Sequence, residues 1–438
     1  MSPARRAELR GWVLLAGFAL AAAGVLALLL GLSRTPGVGE WLPWGAHFFH
    51  RALVTHVVLS FQVWFLAVLG ALSALAAPEG DRTGRAGLGL STLGVLALLV
   101  PALADQGEPS LNNYVPVVTH PLFYLGLALL AGGVMVACAR TLPLLARPRC
   151  SAAGEFGIAC AGLAFGAALL SFAAAWVLIP AGLDGPQVNE VLFWGGGHVL
   201  QLVNTLILLI AWQRLAEGEW GRGLLPDWLA KAVFASLALA ALGALLIFAF
   251  RPEVTGFTHR QAFTDLLWLG LPLPPLVMGA GLALRVIRGP RRWASPAFLA
   301  MALSLAVFAI GGLAGFFLGM GDTRTPSHYH AVIGGVQLGL MGLIMVHILP
   351  LLGSPLSGGR AERLQFHLYG WGQMIHATGF FLAGAAGVPR KTAGAAQGLD
   401  SLWKQAAMGV VGLGTGLAVL GGAVFVWLVL SRLLRRGG

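Results

Sequence analysis

Apolar residues along this chain fall into long runs separated by short polar breaks. Roughly twelve runs of about 20 residues can be read, at 11–32, 47–77, 86–105, 118–140, 155–179, 188–213, 228–250, 262–285, 294–319, 327–352, 366–387 and 405–431. About 20 apolar residues in helical conformation cross the hydrocarbon core of a bilayer. The pattern predicts an all-α integral membrane protein of about twelve transmembrane helices. It predicts one polytopic transmembrane domain over 1–438. The loops are too short to hold a soluble domain, and no fixed-period repeat or low-complexity segment interrupts the pattern.

Composition supports the same class. The chain is 57% hydrophobic and only 10% charged, where a soluble domain carries roughly 25% charge. Its 62 glycines suit the close helix–helix contacts that small residues allow in lipid. These values exclude a disordered chain and a disulfide scaffold. The net charge of +11 would raise the question of nucleic acid for a soluble protein. Here its distribution matters more. With the N-terminus inside, about 20 of the 28 Lys and Arg fall on inner segments or inner span ends. Both termini are therefore expected in the cytoplasm, and the protein in a bacterial-type inner membrane. Arg5 and Arg6 precede an apolar run longer than a cleavable signal core, so the first span is expected to be retained.

Cys138, Cys150 and Cys160 do not form a C-x-x-C-H haem-attachment motif and are expected to be packing residues. The chain has 11 histidines, and ionisable groups at membrane depth point to function. On the expected topology His56 lies ~13 Å and His198 ~15 Å below the outer surface. His259 follows the outer end of the seventh span, and His328 and His330 open the tenth. Five histidines from four spans thus share the outer third of the membrane. In His328-Tyr329-His330 the two rings point away from each other around a helix. One helix could then serve two planar cofactors. Neutral imidazole binds both haem iron and copper.

In chain order these segments resemble subunit I, the catalytic subunit, of the haem–copper oxidase superfamily, over nearly the whole chain. Leu53-Val54-Thr55-His56 resembles the family's T-A-H segment, and Trp194-Gly195-Gly196-Gly197-His198 its W-x-x-G-H. Thr258-His259-Arg260-Gln261-Ala262-Phe263-Thr264 resembles H-H-x-F-T, and His328-Tyr329-His330 the H-x-H pair. Gly387-Val388-Pro389-Arg390-Lys391 resembles G-M-P-R-R. The resemblance implies two haems and a possible copper. It makes His56 and His330 the ligands of a low-spin haem and His328 the proximal ligand of a high-spin haem. It makes His198 and His259 copper ligands, and Arg390 and Lys391 partners of haem propionates. It further implies a cytochrome c or cupredoxin-like electron donor and other membrane subunits, with no nucleic acid.

Departures are specific. Arg260 stands where the family has a second histidine. Leu202 occupies the place of a tyrosine near the copper, and Val199-Leu200 replaces a Pro-Glu pair. No lysine lies midway along an apolar run. These differences count against proton pumping. The leading expectation is an oxidase subunit passing electrons from a low-spin haem to a haem–copper site that reduces O2. Alternatives are a nitric oxide reductase-like enzyme, a non-enzymatic haem protein that senses a gas or carries electrons, and a cofactor-free transporter.

Other polar residues have milder readings. His47, His50 and His120 suit the membrane interface; His347 and His376 suit packing or a proton relay. Gln201 and Asn204 could face a ligand. Asp265 could pair with Arg260, and Asp322 with Arg324.

Overall fold

A computed structural model describes residues 1–38, 41, 46–77, 82–147, 149, 151–289 and 292–435. The chain runs through α1 (Pro3–Arg34), α2 (Ala46–Val57), α3 (Trp64–Ala76) and α4 (Arg82–Leu103). A small hairpin follows, β1 (Glu108–Ser110) and β2 (Val117–Thr119), then α5 (Pro121–Ala139), α6 (Ala153–Leu178), α7 (Gly185–Trp220) and α8 (Asp227–Phe250). Next come α9 (Phe257–Gly270), α10 (Leu273–Arg288), α11 (Pro296–Ala314), α12 (Arg324–Gly342), α13 (Leu349–Leu351), α14 (Arg360–Ala385) and α15 (Leu402–Leu434). Among the described residues, 11 helical segments are long and apolar enough to cross a membrane. Every predicted run falls on helix. α14 is long enough but more polar, since its first half carries Arg360, Glu362, Arg363, Gln365 and His367.

Two predicted spans are not simple rods. The second is one helical length, Phe48–Ala76, with a π-helical stretch Val58–Val63 beginning two residues after His56. Such π segments re-aim side chains and are frequent near functional sites. The eighth breaks at Leu271-Pro272 between α9 and α10, because proline supplies no N–H and disfavours helix at the residue before it.

The fold divides into two compact units, Met1–Ala16 with Gln62–Gly281, and Gly17–Phe61 with Leu282–Gly438. In the first, α4 packs on α5, and α6 on both α7 and α8. Trp12, Trp64 and Trp212 are fully buried there. β1 and β2 pair antiparallel, Glu108 opposite Thr119 and Ser110 opposite Val117. Their short loop carries Tyr114. His120 caps α5, its Nδ1 accepting from Leu122 N at 3.2 Å, so its role is a helix cap.

In the second unit α14 packs along α15, and α12 against α11 and α14. The α14–α15 seam is lined by glycines at seven-residue spacing. A Cβ on Gly372 or Gly379 would meet the α15 backbone, and one on Gly414 or Gly421 the α14 backbone. The absence of side chains lets the two backbones approach, as in other membrane helix pairs. That approach brings Val411 and Thr415 of α15 to His376 of α14.

Cys138 and Cys160 are free and buried, as a packing role requires. Cys150 and the His47 side chain lie outside the described residues.

Candidate functional site

Two histidine clusters form, one in each unit. In the first unit, α7 presents His198 and α9 presents His259, 1% and 2% exposed. His198 Nδ1 donates to Trp194 O at 2.7 Å, and His259 Nδ1 to Arg251 O at 2.5 Å. A carbonyl can only accept, so each ring carries its proton on Nδ1 and presents a lone pair at Nε2. Phe263 touches both imidazoles, with ring centroids 5.6 Å from His198 and 5.2 Å from His259.

The sequence reading missed Tyr114. Its hydroxyl lies 3.0 Å from His198 Nε2, and its ring packs on His198 and Trp194. Three local features place it. Asn112 Oδ1 accepts from the N–H groups of Tyr114 and Val115, at 3.3 and 3.0 Å, turning the chain as Asx residues do. Gln62 Nε2 donates to Tyr114 O at 3.1 Å. Gly197 leaves the space that the Tyr114 ring occupies. Its neighbours act alike: a Cβ on Gly196 would strike Phe172, and one on Gly195 would strike Phe263 and Phe248. The run Gly195-Gly196-Gly197 was the one sequence signal for these insertions.

Burial, reinforced by the Glu190 carboxylate and partly opposed by Arg260, pushes the Tyr114 hydroxyl above its ordinary value. The phenol therefore stays protonated and donates to His198. Glu190 accepts from Arg260 Nη2 at 3.3 Å and from Asn113 Nδ2 at 3.1 Å. The Arg260 guanidinium lies 4.1 Å over the Trp194 ring. Asp265 instead accepts from Gln261 at 2.8 Å, and Gln201 donates to Gly197 O at 3.4 Å. Tyr114→Phe should leave His198 Nε2 buried without its donor and cost about 1–3 kcal/mol. Thermal unfolding in detergent measures this, and an unchanged midpoint would show the bond to be idle.

As a donor set for copper this cluster falls short. It offers two imidazoles, one already capped by a hydroxyl. The position of a third holds a guanidinium, whose charge opposes a cation. Among the described residues no group of three His, Cys, Asp or Glu converges on one point.

The second cluster gathers around α2, α12, α14 and the end of α1. His56 Nδ1 donates to Ala23 O at 2.9 Å, and His328 Nδ1 to Gly311 O at 2.7 Å. Both rings are thereby fixed with Nε2 outward, the orientation that metal-binding histidines take when the second nitrogen is anchored. His328 stands close over Gly315, where a Cβ would come within 3.0 Å of its ring. His56 and His376 lie within electrostatic reach of His330, and the His330 and His376 rings meet edge to face at 4.7 Å. Arg34, another residue the sequence reading passed over, ends α1 here. It donates to Thr392 O at 3.1 Å and lies over the rings of Phe49 and Phe380.

His56, His330 and Arg34 are half-buried and Tyr329 is exposed. Imidazole lone pairs at His56 and His328, with the Arg34 guanidinium close to His56, fit a haem and its propionates. The cationic loop is held by backbone pairing: Arg390 N donates to Gly321 O and Thr323 N to Val388 O, each at 3.0 Å. Asp322 pairs with Arg324 at 2.8 Å, and this hydrogen bonding holds its carboxyl below the usual range. His50 Nε2 lies 3.3 Å from Lys391 O.

Known proteins place the chain in a family. A profile of the family described as Cytochrome C and Quinol oxidase polypeptide I matches residues 9–416. The chain belongs to that family. Cytochrome c oxidase subunit 1 of Thermus thermophilus is 24% identical over 400 residues, 78% of this chain and 69% of the relative. An uncharacterized protein of Aquifex aeolicus is 28% identical over 340 residues, covering 77% and 83%. Protein RP382 of Rickettsia prowazekii is 21% identical over 489 residues, covering 95% and 94%. Among solved structures, a cryo-EM structure of a heme-copper terminal oxidase dimer superposes with a TM-score of 0.75. It is 16% identical, with 100% of this chain and 85% of that one covered. This member of the polypeptide I family is therefore a multi-pass helical membrane protein with the subunit I fold.

Proposed function

We propose that the protein is a haem-bearing member of the polypeptide I family that carries electrons and binds a small gas without a copper partner. The observation that carries this reading is the contrast between the two clusters. One presents imidazole lone pairs at His56 and His328, each ring held through Nδ1 by a backbone carbonyl. The other has its lone pair at His198 closed by Tyr114, beside Arg260.

In this reading His56 and His330 hold a low-spin haem, and His328 holds a second haem through one face. Bound haem supplies one-electron chemistry at the first position and an open iron coordination place at the second. The protein's own residues do the rest. The Ala23 and Gly311 carbonyls fix the ring orientation of His56 and His328. Arg34, Arg390 and Lys391 neutralise propionates. Tyr114 keeps His198 in one tautomer and holds its proton. The expected donor is a cytochrome c or cupredoxin-like protein, in a complex with other membrane subunits in a bacterial-type inner membrane. Glu190 is paired with Arg260 and Asn113, which disfavours a nitric oxide reductase-type metal held by glutamate.

A reduced-minus-oxidised spectrum with a CO difference spectrum tests the assignment. His328→Ala should abolish CO binding and leave the low-spin bands. Unchanged CO binding would refute His328 as the open-face ligand.

A further inference from the structure

His376 is a buried imidazole that the proposed function leaves unused, and its surroundings are those of a ligand. Thr415 Oγ1 donates its hydrogen to Val411 O at 2.8 Å. The same oxygen lies 2.9 Å from His376 Nδ1, so here it can only accept. Val411 O, 3.2 Å from Nδ1, can likewise only accept. The ring proton is therefore on Nδ1, and Nε2 carries the lone pair. This is the anchoring seen at His56, His198, His259 and His328, where a backbone carbonyl holds Nδ1. Any buried imidazole N–H needs an acceptor; in a metal ligand the same bond also orients the ring and makes the other nitrogen more basic.

His330 is the exception. Among the described residues no hydrogen bond reaches its ring, which is held only by Tyr329, His376 and Phe380. The histidine that the family resemblance assigns as ligand is thus the less fixed of two neighbours. His376 meets it edge to face at 4.7 Å, with the ring planes 77° apart. His56 lies within electrostatic reach of both. The seam that places His376 is built for close approach, since Gly414 leaves no side chain between α15 and the His376 backbone.

We propose that His376 is a second axial ligand for the low-spin haem, interchangeable with His330 on the face opposite His56. The proposal rests on the haem reading given above. His376 takes the iron when His330 is absent or turned away, so the haem stays six-coordinate through either ring.

The test uses the full chain, purified from membranes, with EPR and CO difference spectra as readouts. His330→Ala should retain a low-spin bis-imidazole signal. Its g values should shift, because the His376 plane lies 77° from that of His330. His330→Phe, which keeps a ring against Phe380, should behave the same way. The double variant with His376→Ala should lose the low-spin signal. Loss of that signal in both single His330 variants would overturn the proposal. His56→Ala serves as the control for the underlying reading. If it leaves the low-spin spectrum intact, the haem assignment itself fails, whatever the His330 variants show.

Discussion

Replacing His56 by alanine should remove the low-spin haem and leave the CO-binding haem in place. His56 is the α2 imidazole that the low-spin assignment uses, and neither His330 nor His376 can stand on both sides of an iron. Its ring is fixed by Ala23 O at 2.9 Å, so the lone pair is aimed before any cofactor binds. Haem content should fall from about two to about one per chain, with the low-spin bands lost. The variant should still fold, because the ring is half-buried rather than part of the fully buried core. Pyridine haemochrome analysis and absorbance spectra give both numbers. A variant that keeps the low-spin bands would remove His56 from the site.

A second large effect concerns stability. Glu8 and Arg140 form an ion pair at 2.6 Å, with side chains 2% and 8% exposed. The pair joins the start of α1 to the end of α5. A Cβ on Gly84 would strike both side chains, so the α4 backbone lies directly against them. Two charges this deeply buried are costly to hold, and costlier to separate. Glu8→Ala should destabilise the protein by about 3–5 kcal/mol, because the buried Arg140 guanidinium keeps its charge and loses the Glu8 carboxylate. Replacing both by leucine should cost much less, since no uncompensated charge remains. Thermal unfolding in detergent separates the cases. A single variant within about 1 kcal/mol of wild type would show the pair to be weak.

The membrane helices were legible because about 20 apolar residues in a row leave little choice of structure. The break at Leu271-Pro272 was not read, because the run of hydrophobicity continues across it and only the proline marks it. The histidines were found by type and depth, and the structure brings His56 within electrostatic reach of His330, 274 positions away in sequence. What the sequence concealed is set by packing across helices. Tyr114 reaches His198 from a hairpin loop because three glycines on α7 admit aromatic rings. Arg34 reads as a span-end cation, and only the fold turns it over Phe49 and Phe380. His376 could be packing or a relay on sequence alone, and its partner Thr415 lies on another helix. The pairing of Asp322 with Arg324 was expected and is found. Asp265 was read as a partner of Arg260 or of a bound water; Arg260 pairs with Glu190, and Trp194 holds the guanidinium on its ring face.

Cofactor stoichiometry of the purified wild-type chain is the most direct test. Haem is measured by pyridine haemochrome and copper by mass spectrometry after dialysis against a chelator. About two haems per chain, one of them binding CO, with copper far below one per chain, is the expected result. One retained copper per chain would contradict the copper-free site at His198 and His259, and a folded chain without haem would contradict the assignment of His56, His328 and His330.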